Sequence, residues 1–170
     1  MLRKVSLLLI AMLFQFAFAQ DSGLSDGEIA NVLLAVNESE IDAAKLADGK
    51  AQNANVRSFA KMLVSEHKEN MKTTKRVAKE IGVSAKDSNI SKMFEEEGEL
   101  VYKELKRAEK GSFDHVFLDQ QIVMHDKILS TLNNTLIPGA QDLKLKAQLE
   151  RSRDSVAAHL AQARSLRSSL

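Results

Sequence analysis

Ionisable residues stand in this sequence at positions where the helical pattern calls for an apolar side chain. His159 lies in the middle of an apolar stripe near the C-terminus, and His67 and His125 lie in the same way on two other periodic segments. Glu40 occupies the corresponding place on a fourth segment. Burial of such a group without a partner costs about 2 kcal/mol or more. Four such groups, one on each segment, therefore suggest a shared purpose.

Metal binding is one purpose that imidazole and carboxylate groups share. These ligands suit Zn²⁺, Fe²⁺, Mn²⁺ or Cu²⁺, and the cores of helical bundles are places where such ions are held. The sequence thus suggests a mononuclear site of three histidines and one glutamate: Glu40, His67, His125 and His159. A hydrogen-bonded polar layer without metal is the favoured interpretation, with the metal site as the alternative, because Thr74, Gln121 and Ser152 lie on the same stripes. The pattern indicates no catalytic residue and no organic cofactor.

The segments that carry these residues are predicted to be helices. Apolar residues recur at steps of three and four, and Ala, Leu, Lys and Glu dominate long stretches with few runs of β-branched residues. Four of the segments are long, and one, the third along the chain, is shorter. The predicted helices cover residues 25–49, 53–81, 90–108, 112–136 and 142–167.

Residues with capping side chains precede the predicted helices. Ser25 and Glu28 have the spacing of a capping box, and Asn53, Ser112 and Asp142 can each cap a helix start. The segments that begin at Asn53 and Asp142 also share the order of cap, aliphatic residue and base, and each carries a histidine about four turns into its helix. This faint repeat predicts two related helical hairpins.

The shorter segment, 90–108, decides the connection between the hairpins. As a helix it would span about 28 Å, enough to carry the chain back along a bundle. One long crossover of this kind is the ferritin-like connection, which a plain up-down-up-down bundle does not need. We therefore predict an all-α fold, a ferritin-like four-helix bundle with a helical crossover segment. We also expect helices 53–81 and 142–167 to enter the bundle from comparable ends.

The N-terminus has the layout of a secretory signal peptide. Arg3 and Lys4 precede an apolar run from Val5 to Phe18, and Ala17-Phe18-Ala19 forms an A-x-A cleavage site. The run is shorter than the roughly 20 residues that a membrane-spanning helix needs. We predict export to the periplasm, with no transmembrane span after cleavage. The predicted division is a signal peptide over 1–19, a short tail over 20–24 and a single domain over 25–170.

Composition argues against several classes of partner. Without Arg3 and Lys4, 22 of the 24 basic residues remain against 23 acidic ones, a net charge of −1. This balance gives no electrostatic basis for binding nucleic acid or an anionic membrane. Aromatic residues make up only 5% and Trp is absent, which disfavours base stacking, and the lack of Cys excludes disulfides. A protein partner or a metal ion remains open.

Four blocks of the sequence resemble the conserved blocks of an exported bacterial family, the domain-of-unknown-function family 4142. The resemblance covers about residues 25–167, and it implies a ferritin-like bundle in the periplasm or cell envelope with no established activity. Proteins of the family are often labelled as outer membrane proteins. The blocks read EIANVLLAVNESEIDAAKLA, NANVRSFAKMLVSEH, GSFDHVFLDQQIVMH and QDLKLKAQLERSRDSVAAHL.

Two departures from that family pattern occur, and a third feature disfavours a two-metal centre. Glu66 precedes His67 where the family usually has Asp, and Phe117 stands where Tyr is common. Di-iron bundles need Glu-x-x-His on two helices, but here Val64 and Val156 stand three residues before the histidines. Ferroxidase chemistry is therefore disfavoured.

The sequence favours a non-catalytic envelope protein that binds a partner or serves in stress tolerance. The alternative is a metal-binding protein with the three-His, one-Glu site in the bundle core. A hydrolase has little support, because no strand-turn-helix nucleophile motif is present.

Overall fold

The computed structural model describes residues 23–170, and this part of the chain is helical without any strand. The predicted signal peptide and most of the predicted tail lie outside the described residues. The predicted all-α bundle is confirmed. Within residues 23–170, no helix combines the length and the apolar character that a membrane crossing requires. The helices are α1 (Asp26–Lys50), α2 (Ala54–Glu80), α3 (Asn89–Arg107), α4 (Phe113–Thr131), α5 (Ile137–Gly139) and α6 (Leu143–Ser168).

Three of the predicted helix caps are present. Ser25 and Glu28 form a reciprocal capping box at the start of α1. The Asn53 side chain accepts hydrogen bonds from the second and third backbone N–H groups of α2, and Asp142 does the same for α6. The predicted cap at Ser112 is wrong. The backbone of Ser112 already has helical angles, and its hydroxyl donates to the carbonyl of Glu109 instead.

The fourth helix is less regular than the sequence pattern predicts. A π-helical segment, Leu132–Leu136, follows α4 and leads into the single turn of α5. The change of register comes just before Pro138, which has no N–H and cannot continue α-helical hydrogen bonding. Leu132 and Leu136 are both completely buried, so the apolar face continues through the irregular turn.

The crossover helix α3 runs parallel to α1 along its outer side. Near its start, the Lys86 N–H donates to the carbonyl of Gly27 over 3.1 Å. Near its end, the Lys50 ammonium donates to the carbonyls of Leu105, Lys106 and Ala108. The two helices approach closely at Gly98, where an added Cβ would lie 2.2 Å from the Ser39 hydroxyl.

Two aspartates clamp the hairpins together in the same way at opposite ends of the bundle. Asp114, at the start of α4, accepts the backbone N–H groups of Gln52 and Asn53 just before α2. Asp26, at the start of α1, accepts those of Gln141 and Asp142 just before α6. The two related hairpins predicted from the sequence repeat therefore have matching contacts.

These contacts also show the direction of each helix. The starts of α2 and α4 lie together at one end of the bundle, and the starts of α1 and α6 lie together at the other. The expectation that helices 53–81 and 142–167 enter from comparable ends is wrong. The crossover helix adds one more reversal of direction, so α6 runs parallel to α1 and antiparallel to α2.

A layer of buried polar side chains divides the apolar core in two. The first half, which we call the Leu33 core, contains Leu33, Val77, Ile128, Leu132, Leu149 and Val156. The second half, the Phe59 core, contains Ala44, Phe59, Leu63, Phe113, Phe117 and Ala163. Each long helix contributes to both halves and therefore crosses the polar layer. The buried polar residues between the halves include Asn37, Glu40, His67, Gln121, His125, Ser152 and His159.

Replacement of the clamping carboxylate at Asp114 should weaken the fold. Asp114 is itself buried, and Asp114→Ala leaves the backbone N–H groups of Gln52 and Asn53 without their charged acceptor, so we expect the free energy of unfolding to fall by about 2 kcal/mol. Urea denaturation would measure the change. The matched control is Asp42→Ala, because Asp42 is exposed on α1 and forms an exposed ion pair with Lys45; its effect should stay within about 0.5 kcal/mol. Equal effects of the two variants would contradict a clamping role.

Candidate metal site

Three imidazoles meet in the polar layer, each from a different helix. His67 on α2, His125 on α4 and His159 on α6 are all buried. Their ring centroids lie 5.2 to 5.9 Å apart. One ring nitrogen of each histidine lies within 4.8 Å of those of the other two. The structure therefore brings together three of the four residues that the sequence suggested as ligands.

A hydrogen bond on its outer side fixes the tautomer of His67. Its Nδ1 lies 2.9 Å from the side-chain oxygen of Asn37. The Asn37 amide nitrogen donates to the carbonyl of Leu33 and to the side chain of Asn70, so its oxygen is the atom that faces the ring. An oxygen acceptor requires a donor, and Nδ1 therefore carries the proton. The other nitrogen, Nε2, is left with a lone pair.

The imidazoles of His125 and His159 are each oriented by one outward hydrogen bond as well. The Nδ1 of His125 donates to the backbone carbonyl of Gln121 over 2.9 Å. The Nε2 of His159 donates to the carboxylate of Glu66 over 2.8 Å. Both acceptors are oxygens without a proton to give, so in the neutral form of each ring the second nitrogen carries a lone pair.

The three lone-pair nitrogens have no hydrogen-bond donor anywhere in the described chain. They are Nε2 of His67, Nε2 of His125 and Nδ1 of His159, and all three are buried. A buried polar atom without a partner costs about 1–3 kcal/mol. Three such atoms in one group would be an expensive way to build a core, whereas a metal ion satisfies all three at once. Outward hydrogen bonds that orient metal-binding imidazoles are a common feature of metal sites.

Glu40 is buried in the same layer but stands apart from the three lone pairs. It is not a member of the group of ligand atoms formed by the histidines. One carboxylate oxygen accepts from the side chain of Gln121 over 2.8 Å, and the other lies 4.0 Å from Nδ1 of His125, the nitrogen already bonded outward. Glu40 thus faces the outer side of the imidazole. In this geometry it can balance positive charge without binding the ion.

Burial and mutual repulsion lower the pKa of two imidazoles of the cluster, those of His67 and His125. Burial is the main cause that lowers the pKa of His67 well below its ordinary value of 6.5, and His125 and His159 lower it further. Burial also lowers the pKa of His125, although Glu40 and the carbonyl of Gln121 act in the opposite direction. Neutral imidazole is the form that binds metal, so the environment prepares the ligands.

The spacing of the nitrogens fits a metal ion after a small inward shift of the rings. A tetrahedral zinc ion with Zn–N bonds of about 2.0–2.1 Å holds its nitrogens roughly 3.4 Å apart. The three nitrogens of the cluster lie within 4.8 Å of one another. Small rotations of the histidine side chains would close the remaining gap.

Two residues that orient the cluster were missed by the sequence reasoning. Asn37 lies three residues before Glu40 on the inward face of α1, so its helical spacing was a usable signal. Glu66 precedes His67 and points towards α6, where it holds His159 rather than its neighbour. The residue spacing within α2 could not predict the contact between Glu66 and His159, because the two residues are 93 positions apart in the sequence.

Comparison with known proteins places the chain in a family but supplies no activity. A family model described as a domain of unknown function (DUF4142) matches residues 14–166. No curated protein and no solved structure gives a significant match. The match covers most of the chain, including all three histidines of the cluster.

The metal-free protein should lose stability as the pH falls through the ordinary range of histidine. The folded-state pKa of His67 and His125 lies below the unfolded value of 6.5, so below that pH the unfolded chain binds more protons. We expect full stability above about pH 7 and a decline below pH 6.5 of up to about 1.4 kcal/mol per pH unit for each histidine. Urea denaturation between about pH 8 and pH 5.5 would measure the decline.

Two variants distinguish the contribution of the cluster to the pH dependence of stability from the contribution of other titrating groups. His67→Gln should flatten the pH dependence, because it removes a buried group that cannot easily accept a proton in the folded state. His115→Gln should retain it, because His115 lies outside the cluster. A metal-free protein whose stability rises on acidification in this range would contradict the assignment.

Proposed function

The chain belongs to the DUF4142 family, whose function is unknown, and we propose that it binds one divalent transition-metal ion through His67, His125 and His159. The sequence alone favoured a non-catalytic scaffold and kept metal binding as the alternative. The geometry favours the alternative. The observation that supports it most strongly is the group of three buried imidazole nitrogens that lack any donor while the other nitrogen of each ring is hydrogen-bonded outward.

The chemistry of the ligand set narrows the class of ion. Three neutral imidazoles suit Zn²⁺, Cu²⁺, Fe²⁺ or Co²⁺, whereas Mg²⁺ and Ca²⁺ prefer oxygen ligands. With no cysteine in the chain, soft thiolate ligands are absent. Glu40 and Glu66, each close to one imidazole, supply two negative charges beside a doubly charged ion. We propose a mononuclear site with these carboxylates outside the coordination sphere.

The proposal includes a location. Residues 1–19 have the layout of a signal peptide, which supports export and a place in the periplasm. A ferritin-like arrangement of the helices is part of the same proposal, supported by the single helical crossover between two hairpins. No residue is assigned a catalytic role.

Purified protein should contain or take up one transition-metal ion per chain. Binding to the folded state alone raises the free energy of unfolding by about 2.7 kcal/mol when free metal is 100 times its dissociation constant. Elemental analysis after loading with Zn²⁺ or Co²⁺, and thermal melting with and without chelator, would measure both effects. A protein without stoichiometric metal, whose melting ignores the chelator, would reject the proposal.

A pair of histidine variants controls for damage to the fold. His159→Leu removes a nitrogen that has no partner, and Glu66 can then turn to solvent because its side chain is 49% exposed. We therefore expect the variant to fold and to lose both the metal and the chelator-sensitive melting. His115→Leu, which changes a histidine outside the cluster, should keep one ion per chain.

The carboxylate of Glu66 should strengthen metal binding although it does not touch the ion. Loss of an outer hydrogen-bond partner weakens metal affinity by roughly 10–100-fold, and we expect Glu66→Ala to fall in that range. Competition titration with a chromogenic chelator would measure the affinity. Glu66→Gln keeps an oxygen acceptor for His159 and should recover most of the loss.

A neighbouring glutamate provides the matched control for this effect. Glu69 lies one turn further along α2, is exposed and forms an exposed ion pair with Lys72 at 3.7 Å. Glu69→Ala should leave the metal affinity unchanged. Equal losses in Glu66→Ala and Glu69→Ala would point to surface charge rather than to orientation of His159.

A further inference from the structure

A small cavity borders the three-His cluster on the side of the Leu33 core. Its volume is about 30 Å³, enough for one water-sized molecule. Two imidazoles of the cluster, those of His67 and His159, form part of its wall. The wall is mostly apolar, and Asn70, Ser152 and Ser155 add polar groups to which an occupant could hydrogen-bond.

The chain provides three ligands to the proposed ion, and a fourth position is left over. Glu40 is the only other ionisable group that the sequence placed in this layer, and it lies on the outer side of His125. Zinc sites closed by four protein ligands are structural, whereas sites with three protein ligands keep an exchangeable position. With three protein ligands, the proposed site belongs to the class that keeps an exchangeable position.

The cavity has a route to solvent between α2 and α6. A surface cleft of about 250 Å³ lies there, with Glu69, Gln148 and Arg151 on its walls. The cleft and the cavity share Glu66, Asn70 and Ser155, so the two spaces adjoin. Asn70 and Ser155 are only partly buried and Glu66 is exposed, so the cluster is close to solvent on this side.

We propose that an ion in the three-His cluster keeps its fourth coordination position open to this cavity and takes one small ligand there. The ligand is a lone-pair donor, either water or a small anion whose far end extends towards the adjoining cleft, and it enters through the α2–α6 cleft. The Asn70 amide already donates one hydrogen to the Ser152 hydroxyl and has a second hydrogen that can be donated to this ligand. This inference rests on the proposed metal binding and adds an exchangeable ligand to it.

Azide is a suitable probe because its binding changes the visible absorption of Co²⁺. The purified protein is loaded with Co²⁺, its metal content is measured, and azide is titrated while the spectrum is recorded. We expect a saturable spectral change with one azide per Co²⁺. An unchanged spectrum in protein that holds one Co²⁺ per chain would overturn the open position and leave metal binding intact. Failure to hold stoichiometric Co²⁺ would overturn both.

A matched pair of serine variants tests the route. Ser155→Leu fills the junction of cavity and cleft with a side chain that has no contact to the ligand nitrogens. We expect it to slow azide association at least about tenfold, a barrier increase of about 1.4 kcal/mol, while one Co²⁺ per chain is retained. Ser165→Leu makes the same change on the exposed surface of α6 and should leave the rate unchanged. Equal stopped-flow rates in both variants and the parent protein would overturn the proposed entry.

Discussion

The outward hydrogen bond of each buried imidazole is the interaction on which the centre of this bundle depends. A neutral histidine has one donor and one acceptor, and once an oxygen takes the donor, the acceptor must face the other way. Asn37, the carbonyl of Gln121 and Glu66 each take one donor. Three lone pairs are thereby turned towards a common point between four helices. Under the proposed metal binding, this orientation makes the polar layer a set of ligands rather than a collection of buried polar side chains.

The rest of the bundle stabilises the polar layer through apolar packing on both sides and through contacts that fix the helix positions. The Leu33 core and the Phe59 core lie on either side of it and supply the apolar burial that the layer itself does not provide. The clamps made by Asp26 and Asp114 join the hairpins at both ends, which fixes the height of each helix relative to its neighbours. Because the cluster takes its ligands from three helices, an error in one helix position would separate the nitrogens.

The protein differs from a two-metal carboxylate bundle in the charge of its ligands. Glutamates that bridge two ions bring negative charge to balance them, whereas the ligands of the proposed site are imidazoles. The carboxylates of Glu40 and Glu66 lie on the outer sides of the imidazoles, each next to one histidine. A single ion, partly compensated by outer charges and exposed on one side to a small cavity, is the arrangement that this distribution favours. Its reactivity would then be governed by what the cavity admits.

The sequence by itself determined the helices, most of their caps and the inward placement of three histidines, because these depend on local geometry. The period of 3.6 residues fixes the direction of a side chain around its own helix, and the helix starts at Asn53 and Asp142 need only nearby backbone. Only the tertiary structure decided that Glu40 stays outside the cluster, that Glu66 reaches His159 and that α6 runs parallel to α1. Those outcomes depend on the relative height and direction of separate helices. Contacts between residues distant in sequence set them, and no pattern within one helix records such contacts.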